Sequence, residues 1–163
     1  MPHLLDKKNA EMLISHGVFS EAELHSRCEI MLENYCKSVT IEARTMIDMS
    51  HTQILPAVED FTASLALNAS RKMALDAGTA CRYEKSLVKK LSALTDAIAE
   101  KTAALEQATA ALPTGDVIAE SAAIRDTVLP AMEALRTYCD EAETLTDKNA
   151  WPFPTYAELL FGV

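Results

Sequence analysis

From Glu21 onward, apolar residues recur at steps of roughly three and four: Leu24, Cys28, Met31, Tyr35, Val39, Met46 and Met49. That spacing lays a stripe along one face of a helix. No glycine interrupts it before Gly78, but Pro56 lies within the span. An interior proline deletes one backbone hydrogen bond and clashes with the preceding turn. A kink is therefore expected between Thr52 and Pro56, with the helix resuming to about Leu75 or splitting into two collinear helices. A second helix is expected from Thr79 or Ala80. Its Leu87, Leu91, Leu94, Ile98, Leu105, Ala108 and Leu112 follow alternating four-three steps if Lys101 takes the one polar place. Such a seam belongs to helices lying side by side. A third helix, Val117 to Thr146, repeats the pattern with Ile124, Val128, Ala131, Leu135, Tyr138, Ala142 and Leu145, and Pro130 should kink it.

The breaks between these stretches carry turn chemistry. Asp6 and Gly17 bracket a short first helix, Lys7 to His16, as N-cap and left-handed stop. Ser20 with Glu23 reads as a capping box, with Phe19 placed to staple onto Leu24. Pro113-Thr114-Gly115-Asp116 is a tight reversal with Asp116 as the next cap, and a loop near Ala77 to Thr79 makes the other reversal. The fold class is all-α, an antiparallel up-down-up bundle of three long helices kinked at prolines, plus short N- and C-terminal helices. The tail differs. Trp151-Pro152-Phe153-Pro154 is extended, because each proline pushes the residue before it out of the helical region. Thr155 and Glu158 then open a last short helix through Phe161.

Composition agrees with one folded helical domain across residues 1–163: 49% apolar, 24% charged, 6% aromatic and 4 glycines. A net charge of −9 opposes nucleic-acid and anionic-membrane partners, whose phosphates need clustered Lys and Arg. Lys85, Lys89 and Lys90 form a short basic cluster, read as a solvated helix face. No apolar run is long enough to span a membrane and no signal segment opens the chain, so a cytoplasmic location is expected. The four cysteines, Cys28, Cys36, Cys81 and Cys139, form no C-x-x-C pair and read as buried thiols.

Candidate chemistry is sparse. His25 with Glu29, and Asp48 with His51, share helix faces and could each give two metal ligands. A carboxylate-bridged site in a bundle needs Glu-x-x-His on two helices plus two further Glu, and no second Glu-x-x-His or Asp-x-x-His occurs. Surface pairing is the reading taken for both. The methionines, Met12, Met31, Met46, Met49, Met73 and Met132, read as core filling. Glu42 falls on the inward stripe and would need a partner such as Arg27, Arg44 or a residue of another helix. It is taken as one half of a structural ion pair. Four of nine aromatics crowd into the tail. Trp151, Phe153, Tyr156, Leu160 and Phe161 are the docking candidates over residues 151–161, because large rings held by prolines make good anchors. They could dock on the bundle or on another chain.

The tail from Trp151 to Phe161 closely resembles the end of type III glutamine synthetases. Further blocks agree in order: Gly17-Val18-Phe19-Ser20, Ser26-Arg27-Cys28-Glu29-Ile30, Glu33-Asn34-Tyr35, Ile41-Glu42-Ala43-Arg44-Thr45-Met46, and Gln53-Ile54-Leu55-Pro56-Ala57. The resemblance covers most of the chain from Gly17 to Phe161 and implies its C-terminal helical domain, a piece of a larger glutamate–ammonia ligase. Such enzymes join ammonia to glutamate with ATP and divalent metal, and assemble as dodecamers of two stacked hexameric rings. Their catalytic residues lie upstream, so no catalytic, cofactor or metal residue transfers to this chain. Arg27, Glu29, Tyr35, Glu42, Pro56 and Trp151 match family positions and read as structural. The implied partners are the catalytic domain and other subunits. Two other readings remain: a freestanding helical interaction module, acting as adaptor or regulator, and an enzyme with a metal site hidden in the bundle.

Overall fold

The computed structural model describes residues 2–154 and 156–161. A 3-10 turn, Pro2–Leu5, leads into α1, Lys7–Ser15. Then come α2, Glu21–Met49; α3, Leu55–Leu75; α4, Arg82–Ala110; α5, Val117–Ala123; α6, Leu129–Leu145; and α7, Tyr156–Phe161. No strand occurs among the described residues. Thr155, expected to cap α7, and the Tyr156 side chain lie outside the described residues.

The expected proline kinks take a specific form. α2 and α3 are joined without interruption by a π-helical turn, Ser50–Ile54, in which the Leu55 N–H donates to the Ser50 carbonyl five residues back. α5 and α6 are joined in the same way through Ile124–Val128, with the Leu129 N–H on the Ile124 carbonyl. Each wide turn is followed by Leu-Pro-Ala, at residues 55–57 and 129–131. One extra residue per turn carries the carbonyl that a proline ring would strike away from it, so the helix passes the proline instead of ending. The first composite helix, Glu21 to Leu75, is about 80 Å long at 1.5 Å per residue.

Caps fix where the rods begin and end. Ser20 Oγ accepts from the Glu23 N–H while Glu23 reaches back to the Ser20 N–H at 2.9 Å. Arg27 lies 4.8 Å over the Phe19 ring just outside this cap. Gly17, at φ 66, closes α1: its N–H donates to Ile14 and the Val18 N–H to Leu13, so two end carbonyls are satisfied. Asp6 occupies the N-cap of α1 and its carbonyl accepts the first helical bonds, but its side chain makes no cap bond and meets His3 Nδ1 at 2.9 Å. Asp116 does cap α5, accepting from the Ile118 and Ala119 N–H groups. α4 begins later than expected, at Arg82, behind a left-handed Cys81. The turn before it is tied by Asp76, which accepts from the Gly78 N–H and the Thr79 hydroxyl.

α4 is the central rod and packs chiefly on α3 and α6. Leu91, Ile98, Leu105, Ile124, Val128 and Leu135 form the fully covered centre of the core. Three expected positions move. On α2 the buried stripe runs Leu24, Cys28, Leu32, Cys36, Val39 and Ala43, so Met31 and Glu42 face solvent. Glu42 is therefore not half of a buried ion pair: the four-step from Val39 lands on Ala43, whose small side chain lets another element close in. On α4 the polar core place belongs to Thr102, with Lys101 only partly covered. Among the described residues no methionine is fully buried; Met12 and Met31 are exposed, and Met46, Met49, Met73 and Met132 are half-buried.

Candidate functional site

The tail is positioned by the end of α6. The Thr146 hydroxyl donates to the Ala142 carbonyl, and Asp147 then starts a turn, accepting from the Asn149 N–H through its side chain and from the Trp151 N–H through its carbonyl. That turn swings the chain back onto the bundle. Trp151 and Phe153 are half-buried against the core and meet edge to face, 6.1 Å between centroids. Beneath them is a pocket of about 260 Å³ whose floor is Met46, Met49, Ile54, Leu135 and Cys139 and whose rim carries Arg136, Asp140 and Glu143. Leu160 and Phe161 do not join the pair; both are three-quarters exposed on α7. An ion pair of 2.9 Å, Lys148 to Glu158, links α7 to the turn that precedes it.

At the first π turn lies a polar contact that the stripe pattern does not announce. Ser50 and Thr102 are fully buried and their hydroxyl oxygens are 2.7 Å apart. Thr102 Oγ1 is also 2.8 Å from the Ile98 carbonyl, which can only accept. A hydroxyl has one proton, so Thr102 donates to Ile98 and Ser50 donates to Thr102. Ser50 stands four before the buried Ile54, and Thr102 four after the buried Ile98, which is the one signal sequence offers. Thr40 has the opposite condition: its hydroxyl is buried without a partner.

Two concavities flank the first half of α2. One, about 750 Å³, lies between α2 and the start of α5 and is lined by His25, Cys28, Glu29, Glu33, Asp116 and Glu120 among others. The second, about 640 Å³, is a more apolar groove bordered by Met31, Tyr35, Ile118, Ala122 and Arg125. His25 and Glu29 thus line one cleft, whereas His51 leaves Asp48 and pairs with Glu106 of α4 at 3.1 Å. Among the described residues no three His, Cys, Asp or Glu side chains come close enough to hold a metal ion.

All four cysteines are buried thiols. Burial pushes the Cys139 thiol up to about 11, with the Asp140 charge adding to it, and raises Cys36 in the same sense, helped by Glu120. Such thiols are poor nucleophiles, since the reactive form is the thiolate. Of the basic cluster, Lys85 and Lys89 are exposed and Lys90 pairs with Glu141 at 2.8 Å. No described helix is long and apolar enough to cross a membrane.

The chain is similar to known proteins over its whole length. Residues 1–73 match the family described as the glutamine synthetase C-terminal domain. A glutamine synthetase of Butyrivibrio fibrisolvens is 34% identical over 170 residues, an alignment covering 100% of this chain and 23% of that protein. A glutamine synthetase of Bacteroides fragilis is 31% identical, covering 98% and 22%, and a type-3 glutamine synthetase of Dictyostelium discoideum 26%, covering 99% and 23%. The chain spans less than a quarter of the length of these curated relatives. Over its whole length the chain aligns with one region of these longer proteins, and through residues 1–73 it belongs to the family of glutamine synthetase C-terminal domains.

Proposed function

We propose that this domain is the non-catalytic helical part of a type III glutamine synthetase, packing against the catalytic region and supporting its assembly. One observation carries the reading: the similarity takes in the entire chain yet fills only 23% of the Butyrivibrio protein. The parent reaction would be ATP-dependent ligation of ammonia to glutamate, a step of nitrogen metabolism in the cytoplasm. ATP and divalent metal would bind in the remaining part of such an enzyme. Trp151 and Phe153 would hold the tail on the bundle, leaving Leu160 and Phe161 of α7 for contact with the catalytic region or a neighbouring subunit. A freestanding adaptor finds less support, because both halves of the chain align with the same enzymes.

A chimera tests the proposal. This chain replaces the matching stretch of the Butyrivibrio enzyme, and ammonia-dependent glutamine formation and particle mass are compared with the unmodified enzyme. Retained assembly and activity support the reading. A soluble chimera that neither assembles nor turns over, while the 163-residue chain alone is helical by circular dichroism, refutes it.

A further inference from the structure

The two ends of the long rod carry opposite charge over exposed apolar side chains. At the α3–α4 reversal, residues 71–90 hold six cations, Arg71, Lys72, Arg82, Lys85, Lys89 and Lys90, against Asp76 and Glu84, a net +4 in a chain of net −9. Lys72 is engaged by Glu84 and Lys90 by Glu141. Arg71, Arg82, Lys85 and Lys89 are exposed and enter no ion pair among the described residues. Leu75 and Tyr83 stand out beside them, 89% and 71% exposed. This end is basic and carries exposed apolar side chains.

The other end is its inverse. Residues 21–37 and 116–126 hold seven carboxylates, Glu21, Glu23, Glu29, Glu33, Asp116, Glu120 and Asp126, against Arg27, Lys37 and Arg125, a net −4. The three cations are already occupied: Lys37 by Glu33, Arg125 by Asp126, and Arg27 over Phe19. Both concavities described above open here; Ile118, 59% exposed, lines both, and Ile30, 55% exposed, stands on the neighbouring stretch of α2. Forty-five residues of continuous helix separate Ile30 from Leu75, about 65 Å, so one molecule cannot bring its own ends together.

We propose that the basic tip of one copy seats in the acidic clefts of the next, a head-to-tail contact between identical chains. The occupant is a second copy because the same chain supplies both halves: charge of opposite sign, with exposed apolar side chains at each end and concavities at the acidic one. Like ends repel, which selects the head-to-tail orientation. Because the two patches differ, the contact does not close at two, and the rotation between copies decides between a ring and a filament. The inference rests on this chain's own charge and shape and holds or fails separately from the chimera above.

Sedimentation velocity of the 163-residue chain tests it. At about 0.01 M salt, where charges are felt over ~30 Å, the mass should rise with concentration above the monomer, and in 1 M salt, where they are felt over ~3 Å, it should return to the monomer. Two variants divide the interface: Lys85→Glu with Lys89→Glu at the tip, and Glu29→Lys with Glu33→Lys at the cleft. All four positions are exposed, and circular dichroism melts report whether either variant has lost its fold. Each variant alone should be monomeric. An equimolar mixture should associate again, since the intact tip meets the intact cleft and the reversed tip meets the reversed cleft. A parent that stays monomeric at low salt overturns the proposal, as does association indifferent to salt. Variants that associate as the parent does, or folded variants whose mixture fails to pair, also overturn it. A monomeric parent whose tip instead binds an added catalytic region would assign the tip to that partner and equally overturn it.

Discussion

Replacing Thr102 by valine removes one oxygen from the centre of the bundle and leaves its shape almost unchanged. Thr102 is fully buried and receives the Ser50 proton at 2.7 Å while donating its own to the Ile98 carbonyl. The Ile98 carbonyl loses little. Ser50, also fully buried, keeps a hydroxyl with nothing opposite it. Leaving a buried donor unpaired costs about 1–3 kcal/mol, whereas removing both members of a pair is close to neutral. In a chain of this size each kcal/mol moves Tm by roughly 2–4 °C, so Thr102→Val should melt several degrees lower. Ser50→Ala should cost less, because Thr102 retains its bond to Ile98. The double variant should recover much of the loss, giving a coupling on the order of 1–2 kcal/mol in a double-mutant cycle. Thermal and urea unfolding followed by far-ultraviolet circular dichroism give all four stabilities. Additive effects, or a Thr102→Val chain as stable as the parent, would refute the assigned direction of the bond and the role of this contact in pinning the π turn.

Thr40→Val should be neutral or stabilising in the same assay, because the hydroxyl it removes is buried without a partner. Leu105→Ala, at a fully covered core position, should cost about 2–5 kcal/mol in urea unfolding through lost burial and a residual cavity. The Ser20 bonds hold Glu23 below its usual carboxylate range, so its folded form favours the ion. Glu23→Gln should therefore lower Tm near neutral pH, with the difference from the parent fading as pH falls through the Glu23 range; an unchanged gap in acid would contradict the capping role. For Cys139 the sign reverses, since its thiol is raised from 9.0 to about 11. Its contribution to stability is complete below pH 9 and is lost as pH rises toward 11. Under mildly alkaline conditions a thiol reagent should label none of the four cysteines quickly until denaturant is added. Trp151 is the chain's one tryptophan. Its emission should shift to the red in Phe153→Ala if the edge-to-face pair holds the tail down, and an unshifted spectrum would deny that contact its role.

The caps are legible in the sequence because their chemistry is local. Ser20 with Glu23, Gly17 and Asp116 each act within a few residues, so spacing alone locates them. Both prolines announce a disturbance, but residue identity does not say whether a helix breaks or widens. The π turns settle on widening, and they let 55 residues run from Glu21 to Leu75 as one rod. The misplaced side chains have a common cause in phase. A strict heptad advances about 3.5 residues per turn and lands on Lys101, whereas a straight helix at about 3.6 drifts and lands on Thr102. Along α2 the stripe favours four-residue steps, passing from Cys28 to Leu32 and from Val39 to Ala43, which turns Met31 and Glu42 outward. Alanine and serine are easily passed over in such a pattern, yet Ala43 and Ser50 are where α2 and the first π turn are most closely covered. Hydrophobicity marks the tail but does not divide it. Trp151 and Phe153 return to the bundle, while Leu160 and Phe161 stay in solvent, a division that depends on the Asp147 turn rather than on hydrophobicity.

The most direct test of the domain's place in a glutamine synthetase is binding in trans. The Butyrivibrio enzyme lacking its matching stretch is mixed with the 163-residue chain, and the particle mass is read by light scattering after size exclusion. The expected result is co-elution at one chain per catalytic subunit, weakened by Leu160→Ala with Phe161→Ala. A helical, folded chain that elutes alone from a soluble catalytic partner would contradict it.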